Sequence, residues 1–243
     1  MLTDFLQNPI FFYTVVLLTS VLSAALGTGG GFILIPLAAL QFGAKESVGI
    51  LSIYFLFQNI NKLVVYKNHI NWKVGWRVIC WSLPGVLIGS LALNYIPVEF
   101  FKKLLACIIL VYLANDVFKF MPKKHQPDAL LPGLSMLYGF LSGLIGSGNL
   151  VKGPLFTSLG LLKQTYVGTY AFTSFFMNVP KITTYYATGI IDGSAFLKSI
   201  PFLIISIVGT HFGKHLIGKI RNDVFYFIVT ASFALSAVAL LLE

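Results

Sequence analysis

The sequence contains little charge, and acidic residues are the scarcest part of it. Only 10% of its 243 residues are charged and eight are Asp or Glu, whereas about 25% of a soluble domain is charged. The mean hydropathy is +0.85. These values exclude a soluble domain and predict an all-α polytopic protein embedded in the lipid bilayer. Because no basic region precedes the first apolar run, we expect no cleavable signal peptide.

Clusters of reactive or metal-ligating side chains are also lacking. The two cysteines, Cys80 and Cys107, fall in apolar segments and match no metal or redox motif. No nucleophile with a base and no His/Cys/carboxylate cluster falls within a membrane segment, so we expect no enzyme and no cofactor or metal. The net charge of +9 comes mainly from short loops, where Lys and Arg report topology and do not indicate nucleic-acid binding.

Long apolar segments occupy most of the chain: 10–26, 31–41, 45–66, 74–93, 99–118, 131–146, 150–162, 165–187, 195–213 and 223–242. A helix needs about 20 residues to cross a bilayer. Two segments, 31–41 and 150–162, are shorter, and each follows a glycine-rich break. We therefore predict that each half contains one re-entrant helical hairpin, broken by glycine, and three transmembrane helices, which makes 8–10 membrane segments in all.

The two halves share their most unusual residues at a constant spacing. The break Gly27–Gly31 and the break Gly146–Asn149 begin 119 residues apart, and the pairs Asn59/Lys62 and Asn178/Lys181 repeat at the same offset. This spacing predicts a first membrane repeat over 1–120, a linker over 121–130 and a second membrane repeat over 131–243.

The distribution of loop cations predicts the orientation of the two repeats. Segments 67–77, 119–125 and 214–221 are rich in Lys and Arg, and such loops lie in the cytoplasm. Both termini and the other connections then lie on the non-cytoplasmic side. A hairpin and three crossings reverse the chain, so the repeats are expected to be inverted, with a binding site between them.

The glycine breaks predict a binding site for an anion. Non-helical backbone survives within a membrane only where protein or a water-filled cavity surrounds it. The helix that restarts after a break presents free N–H groups and the positive end of its dipole, which favour an anion. Glycines can alternatively serve close helix packing. Here a dense cluster of glycines ends one apolar segment, begins a short one and recurs in the other half. This pattern favours glycines that line a cavity over glycines that serve helix packing.

Buried lysines give the predicted site its charge. A lysine within the membrane costs about 2.5–3.5 kcal/mol, although Lys62 and Lys181 could snorkel to an interface. The asparagine three residues before each lysine shares its helical face and favours a common role. Lys152 is a third candidate, without a cationic counterpart because Ile33 aligns with it. No Asp or Glu is predicted within the membrane, so the ligand of the site should be a small anion. Further residues that could line the passage are Gln58, Thr173, Tyr54, Tyr170 and Tyr185.

These motifs define the candidate substrate-binding residues. They are Gly27, Thr28, Gly29, Gly30, Gly31, Asn59, Lys62, Gly146, Ser147, Gly148, Asn149, Lys152, Asn178 and Lys181.

The breaks, with Pro36 and Pro154 after them, and the two Asn-x-x-Lys motifs resemble the TauE/SafE sulfite exporter family over essentially the whole chain. The second break departs from the first, since Asn149 and Leu150 stand where Gly30 and Gly31 do. The resemblance implies transport of small sulfur-containing anions, such as sulfite, thiosulfate or a sulfonate, across the cytoplasmic (inner) membrane of a bacterium. We expect a secondary transporter working by alternating access, with protons carried on the substrate if they are coupled; the alternative is a gated anion channel.

Overall fold

The computed structural model describes residues 8–26, 31–101, 103–104, 107, 130–161 and 163–216. These residues form helices and contain no β-strand. The helices of the first half are α1 (Pro9–Leu26), α2 (Gly31–Phe42), α3 (Ala44–Tyr66) and α4 (Trp72–Tyr95). Those of the second half are α5 (Leu131–Ile145), α6 (Asn149–Ser158), α7 (Lys163–Ala187) and α8 (Gly193–Leu216).

These helices follow eight of the predicted apolar segments to within a few residues. The predicted segment 223–242, most of 99–118 and all but the last residue of the linker 121–130 lie outside the described residues. Four residues of the first glycine break, Gly27 to Gly30, lie outside them as well. The all-helical architecture predicted from hydropathy is confirmed wherever the structure describes the chain.

Local sequence explains where several helices begin and end. Asn71 caps α4, because its side chain accepts a hydrogen bond of 3.1 Å from the backbone N–H of Val74. Asp192 precedes α8 and accepts from the backbone N–H and the hydroxyl of Ser194. The hydrogen bonds from Ser194 hold the pKa of Asp192 below its ordinary value. Helix α5 ends at Gly146, whose φ of 79° lies in the left-handed region that favours glycine.

Helix length separates spanning helices from short ones. Among the described residues, three helices are long and apolar enough to cross a membrane, over Ala44–His69, Trp72–Tyr95 and Gly193–His215. With the shorter apolar helices they indicate a multi-pass membrane protein. Helices α2 and α6 have 12 and 10 residues, about 18 and 15 Å at a rise of 1.5 Å per residue. Neither is long enough to cross about 30 Å of hydrocarbon alone.

Helices α3 and α7 pack against each other in opposite directions. Gly49, near the start of α3, lies against Ile191, just beyond the end of α7; an added Cβ would come within 2.0 Å of the Ile191 side chain. Gly168, near the start of α7, lies against the backbone oxygens of Tyr66 and His69 at the end of α3. The start of each helix therefore meets the end of the other.

Helices α4 and α5 pack in the same direction, with their backbones in direct contact. A Cβ on Gly89 would lie 2.1 Å from the carbonyl oxygen of Phe140, and a Cβ on Gly139 would lie 2.1 Å from that of Ser82. Gly85 and Gly143 meet the opposite backbone just as closely. Small residues let membrane helices approach in this way, where van der Waals contact drives association.

Helices α1 and α8 make the corresponding contact at the other side of the molecule. Gly209 of α8 lies against Ser20 of α1, where a Cβ would come within 2.3 Å of the Ser20 hydroxyl. Gly209 and Phe140 stand 120 residues after Gly89 and Ser20, respectively. The first helix of each half therefore packs against the last described helix of the other half.

Two hydrophobic clusters surround the short helices. The first packs α2 among α1, α3 and α8, with Phe12, Tyr54 and Phe202 in edge contacts. The second packs α6 among α4, α5 and α7, with Phe156 against Tyr170. The first cluster also contains residues of α4, α5, α6 and α7, so both halves contribute to the surroundings of α2.

We expect the α4–α5 contact to be sensitive to a single methyl group. In Gly139→Ala the new Cβ meets backbone, which cannot turn aside, so the free energy of unfolding should fall by about 1–3 kcal/mol. The thermal midpoint in detergent should fall by several degrees. Gly133→Ala in the same helix is the matched control, because no atom lies within 4 Å of its added Cβ. Equal midpoints for the two variants would contradict the backbone contact.

Candidate functional site

A cavity lies where α3 and α7 face each other beside the starts of α2 and α6. Its empty volume of about 390 Å³ includes space that is open to solvent. Its lining is mostly polar and comes from both halves of the chain. The lining residues are Gly31, Phe55, Gln58, Asn59, Lys62, Tyr138, Ser142, Gly146, Ser147, Gly148, Asn149, Tyr170, Ser174, Asn178 and Lys181.

Both Asn-x-x-Lys motifs meet at this cavity. Lys62 and Lys181 are 0% and 1% exposed, and Asn59 and Asn178 are 5% and 3% exposed. The Asn59 amide donates a hydrogen bond of 2.7 Å to the carbonyl of Phe55 in its own helix. Burial of this degree shows that neither lysine reaches the surface of the described chain, so the snorkelling alternative is not what the structure shows.

Lys62 is held by neutral groups. Its Nζ donates to Ser23 Oγ at 2.5 Å and to Gln58 Oε1 at 3.4 Å. Gln58 in turn donates to Tyr54 OH at 2.8 Å and to Ser20 Oγ at 3.3 Å. The amide of Gln58 therefore connects the lysine to two helices, α1 and α3, and fixes its position.

Lys181 is held by the second glycine break. Its Nζ donates a hydrogen bond of 3.1 Å to the carbonyl oxygen of Gly146, the residue that ends α5. The end of a helix carries unpaired carbonyls and partial negative charge, so a lysine is favourable there. The lysine of α7 thereby fixes the point where the chain leaves α5.

The second break turns the chain back toward α5. Gly148 lies directly against the backbone and ring of Tyr138 in the middle of that helix, leaving no room for a Cβ. Helix α6 then begins at Asn149. Across the cavity, Gly31 opens α2, and a Cβ added to it would lie 2.9 Å from the side chain of Ser147. The start of α2 thus lies beside the second break.

Lys152 lies behind the cavity wall and is not one of the lining residues. Its side chain is 0% exposed. The Nζ donates to Tyr138 OH at 3.0 Å, to the Tyr170 carbonyl at 2.9 Å and to Ser174 Oγ at 2.5 Å. It also lies 3.6 Å from the centre of the Tyr170 ring, a cation–π distance. The three residues that hold it all line the cavity.

Acidic groups of the described residues lie away from the cavity. Glu46 pairs with Lys198 at 2.6 Å, where both side chains are partly exposed. Asp192 caps α8, and Glu99 is exposed. No carboxylate or histidine appears among the lining residues. Within the described ranges, no group of three His, Cys, Asp or Glu residues could hold a metal ion.

Only some of the other polar residues predicted to line the passage do so in the structure. Gln58 and Tyr170 line the cavity, whereas Tyr54 and Tyr185 are fully buried in the first hydrophobic cluster. Thr173 donates to carbonyls of its own helix. Four further lining residues were missed from sequence. They are Phe55, Tyr138, Ser142 and Ser174. Ser142 could have been found, because it stands 119 residues after Ser23, which binds Lys62.

A matched pair of tyrosines connects each half's central helix to its first helix. Tyr66 OH donates to the Ala24 carbonyl at 3.0 Å. Tyr185 OH donates to the Gly143 carbonyl. Donor and acceptor both shift by 119 residues between the halves. The lysine-bearing helices α3 and α7 are therefore anchored in the same way to α1 and α5.

A multi-pass helical fold with a polar, lysine-lined cavity at the starts of two short helices is typical of membrane transporters. The family described as sulfite exporter TauE/SafE matches residues 12–240, and the chain belongs to this family. It is 30% identical over 153 residues to a “Probable membrane transporter protein” of Methanocaldococcus jannaschii, a match that covers 54% of each chain. It is 26% identical over 239 residues to a “Probable membrane transporter protein” of Haemophilus influenzae, covering 88% of this chain and 87% of that one. No solved structure matches it.

The tyrosine anchors should contribute measurably to stability. Tyr185→Phe removes the donor to the buried Gly143 carbonyl, and the free energy of unfolding should fall by about 1–3 kcal/mol. Tyr186→Phe, at the neighbouring position that is 58% exposed, should have almost no effect. Thermal unfolding of both purified variants measures the difference, and a Tyr185→Phe midpoint equal to that of the parent would contradict the anchor.

Proposed function

We propose that this membrane transporter is a secondary transporter that moves a small sulfur-containing anion by alternating access. The observation that carries the proposal is the meeting of Lys62 and Lys181 at one cavity with no carboxylate in its lining. The anion would lie between the two lysines. Asn59 and Asn178 would donate to it from α3 and α7.

Charge supports an anionic ligand. The described partners of Lys62 and Lys181 are a hydroxyl, an amide oxygen and a backbone carbonyl. These groups satisfy hydrogen bonds but leave each ammonium charge uncompensated. A buried charge without a counter-ion is costly, so an anion in the cavity would be strongly favoured. Because no carboxylate lines the cavity, we propose that any coupled protons travel on the anion itself.

The backbone around the cavity adds donors to this charge. The cavity is lined at the start of α2 by Gly31, the described residue of the first break. At the start of α6 it is lined by the second break, Gly146 to Asn149. The N–H groups of a helix start point at a ligand, and the helix dipole favours negative charge there. Gly27, Thr28, Gly29 and Gly30, the other predicted binding residues of the first break, lie outside the described residues.

An inverted repeat is the arrangement that we propose for the halves 1–120 and 131–243, with 121–130 as a cytoplasmic linker. Three observations support it. Helices α3 and α7 pack in opposite directions, and the tyrosine hydrogen bonds recur at the same offset in both halves. The contact between α1 and α8 also corresponds to the contact between α4 and α5. In transporters of this type the substrate lies between the repeats, and one unit moves against the other around it.

We place the protein in the cytoplasmic membrane of a bacterium, with both termini outside the cytoplasm. Lys67, Lys73 and Lys214 are exposed at the α3–α4 connection and at the end of α8. Cations of this kind mark the cytoplasmic side. Glu46 and Asp192 lie at the opposite ends of α3 and α8, which is the side that the rule assigns to the exterior.

Transport of a sulfur-containing anion should depend on both cavity lysines. We expect proteoliposomes with the parent protein to take up labelled sulfite, thiosulfate or a short sulfonate. Lys62→Ala and Lys181→Ala should each lower kcat/KM by at least about tenfold, the effect of losing one charged hydrogen bond of about 1.5–3 kcal/mol.

Lys198→Ala is the matched control, because Lys198 is 40% exposed and pairs with Glu46 at the surface. It should transport like the parent. Folded lysine variants with parental uptake would overturn the proposed anion site. Exchange of internal for external anion distinguishes a carrier from a gated channel, which would instead pass single-channel currents.

The orientation can be tested by labelling single cysteines. After replacement of Cys80 and Cys107, which are exposed, a cysteine is introduced at Asn68 between α3 and α4 or at Tyr95 at the end of α4. Both positions are exposed. In intact cells, a membrane-impermeant maleimide should label Tyr95→Cys and spare Asn68→Cys until the membrane is opened. The reverse pattern would contradict the proposed orientation.

A further inference from the structure

Lys152 is the one fully buried lysine of the described residues that does not line the cavity. Its Nζ has three hydrogen-bond acceptors within 3.0 Å, namely Tyr138 OH, Ser174 Oγ and the Tyr170 carbonyl. The faces of Tyr170, Tyr138 and Phe156 lie 3.6, 4.8 and 5.3 Å from it, measured to the ring centres. Three acceptors and surrounding aromatic faces match the three donors and the positive charge of an ammonium group.

We propose that Lys152 is a positioning residue that makes the hydroxyls of Tyr138 and Ser174 hydrogen-bond donors toward the transported anion. The inference rests on the proposed function, because it assigns a role within that same cavity. Lys152 would not touch the anion, since all three of its hydrogens are already engaged by protein groups.

The direction of the hydrogen bonds carries this step. A hydroxyl can donate one hydrogen and accept others, whereas an ammonium group donates only. The oxygens of Tyr138 and Ser174 both accept from Lys152, so neither hydroxyl can direct its own hydrogen at that lysine. Both residues line the cavity. Tyr138 also interacts with the side chains of Ser174 and Thr173, so the hydroxyl hydrogens point away from the lysine, toward one another or toward the cavity. Hydrogen bonds to an ionised acceptor are about twice as strong as neutral ones, so an anion would draw these hydrogens to itself.

The repeat comparison shows that this arrangement belongs to the second half. At the offset of 119 residues, Lys152 corresponds to Ile33, Tyr138 to Thr19 and Ser174 to Phe55. Thr19 retains a hydroxyl, but the lysine and the serine are replaced by apolar residues in the first half. In the first half Gln58, which corresponds to Met177, occupies the position that organises the network around Lys62.

The position of α6 explains why this lysine can act from behind the wall. Lys152 lies in the first turn of α6, where its backbone N–H donates to the Gly148 carbonyl at 3.0 Å. Its side chain reaches helices α5 and α7 at once, since Tyr138 belongs to the former and Ser174 to the latter. One ammonium therefore sets the orientation of donors on two helices that bound the anion site.

A double-mutant cycle in proteoliposomes tests the proposal. The probe is the anion that the parent transports fastest among sulfite, thiosulfate, sulfate and methanesulfonate. Tyr138→Phe and Ser174→Ala should each raise its KM by about fivefold to tenfold, with a smaller effect on kcat. Lys152→Met should raise KM by about tenfold. In the Lys152→Met background the two hydroxyl substitutions should add less than about twofold, because their orientation is already lost.

Each outcome decides one of the two proposals. If the parent transports none of the four anions, the proposed function fails and the inference fails with it. If the parent transports but Tyr138→Phe and Ser174→Ala leave KM unchanged, only the role of Lys152 is overturned; these two variants retain the lysine and decide the matter even if Lys152→Met does not fold. The proposed role of Lys152 would also be overturned if the effects of the lysine and hydroxyl substitutions on KM were fully additive, since additivity indicates that Lys152 acts through its charge alone. Lys198→Met controls for the loss of a lysine elsewhere.

Discussion

Lysines buried without an acidic partner are the constraint on which the rest of the structure depends. Lys62, Lys152 and Lys181 are nearly or wholly inaccessible, and their described partners are all neutral groups. A lysine in apolar surroundings survives only where hydrogen bonds and polar neighbours replace water. Each lysine accordingly gathers a polar shell, and those shells form the walls of the cavity. The lysines that are costly to bury thus determine where polar groups collect around the cavity.

The packing of the helices brings the lysines together. Helices α3 and α7 run in opposite directions with glycine at each crossing end, and each carries one lysine toward the middle of the contact. The α4–α5 and α1–α8 contacts then join the first helix of each half to the other half. A movement of one half as a separate rigid body would break both contacts. In the described structure α4 is therefore joined to α5, and α1 to α8, across the two halves.

Much of the fold followed from the sequence, because membrane helices are long and apolar and their breaks are rich in glycine. The bounds of α3, predicted as 45–66, agree with Ala44–Tyr66 to one residue at its start. The cavity residues that repeat, such as Asn59 and Asn178, were also identifiable, since coincidence rarely repeats a buried Asn–Lys pair. Tyr138, Phe55 and Ser174 were not, because none of them repeats as the same residue type in the other half and only tertiary packing shows which face of a helix meets the cavity. The position of Lys152 behind the cavity wall could not be predicted for the same reason.

The two halves hold their lysines in different ways. The first half fixes Lys62 with a neutral amide, Gln58, whereas the second contains an additional buried lysine, Lys152. The second half also connects Lys181 to the glycine break through the Gly146 carbonyl. A displacement of Lys181 would therefore strain the backbone between α5 and α6, whereas a displacement of Lys62 would first break contacts between side chains. The two lysines share a sequence motif, but the structure fixes one by side chains and the other by backbone.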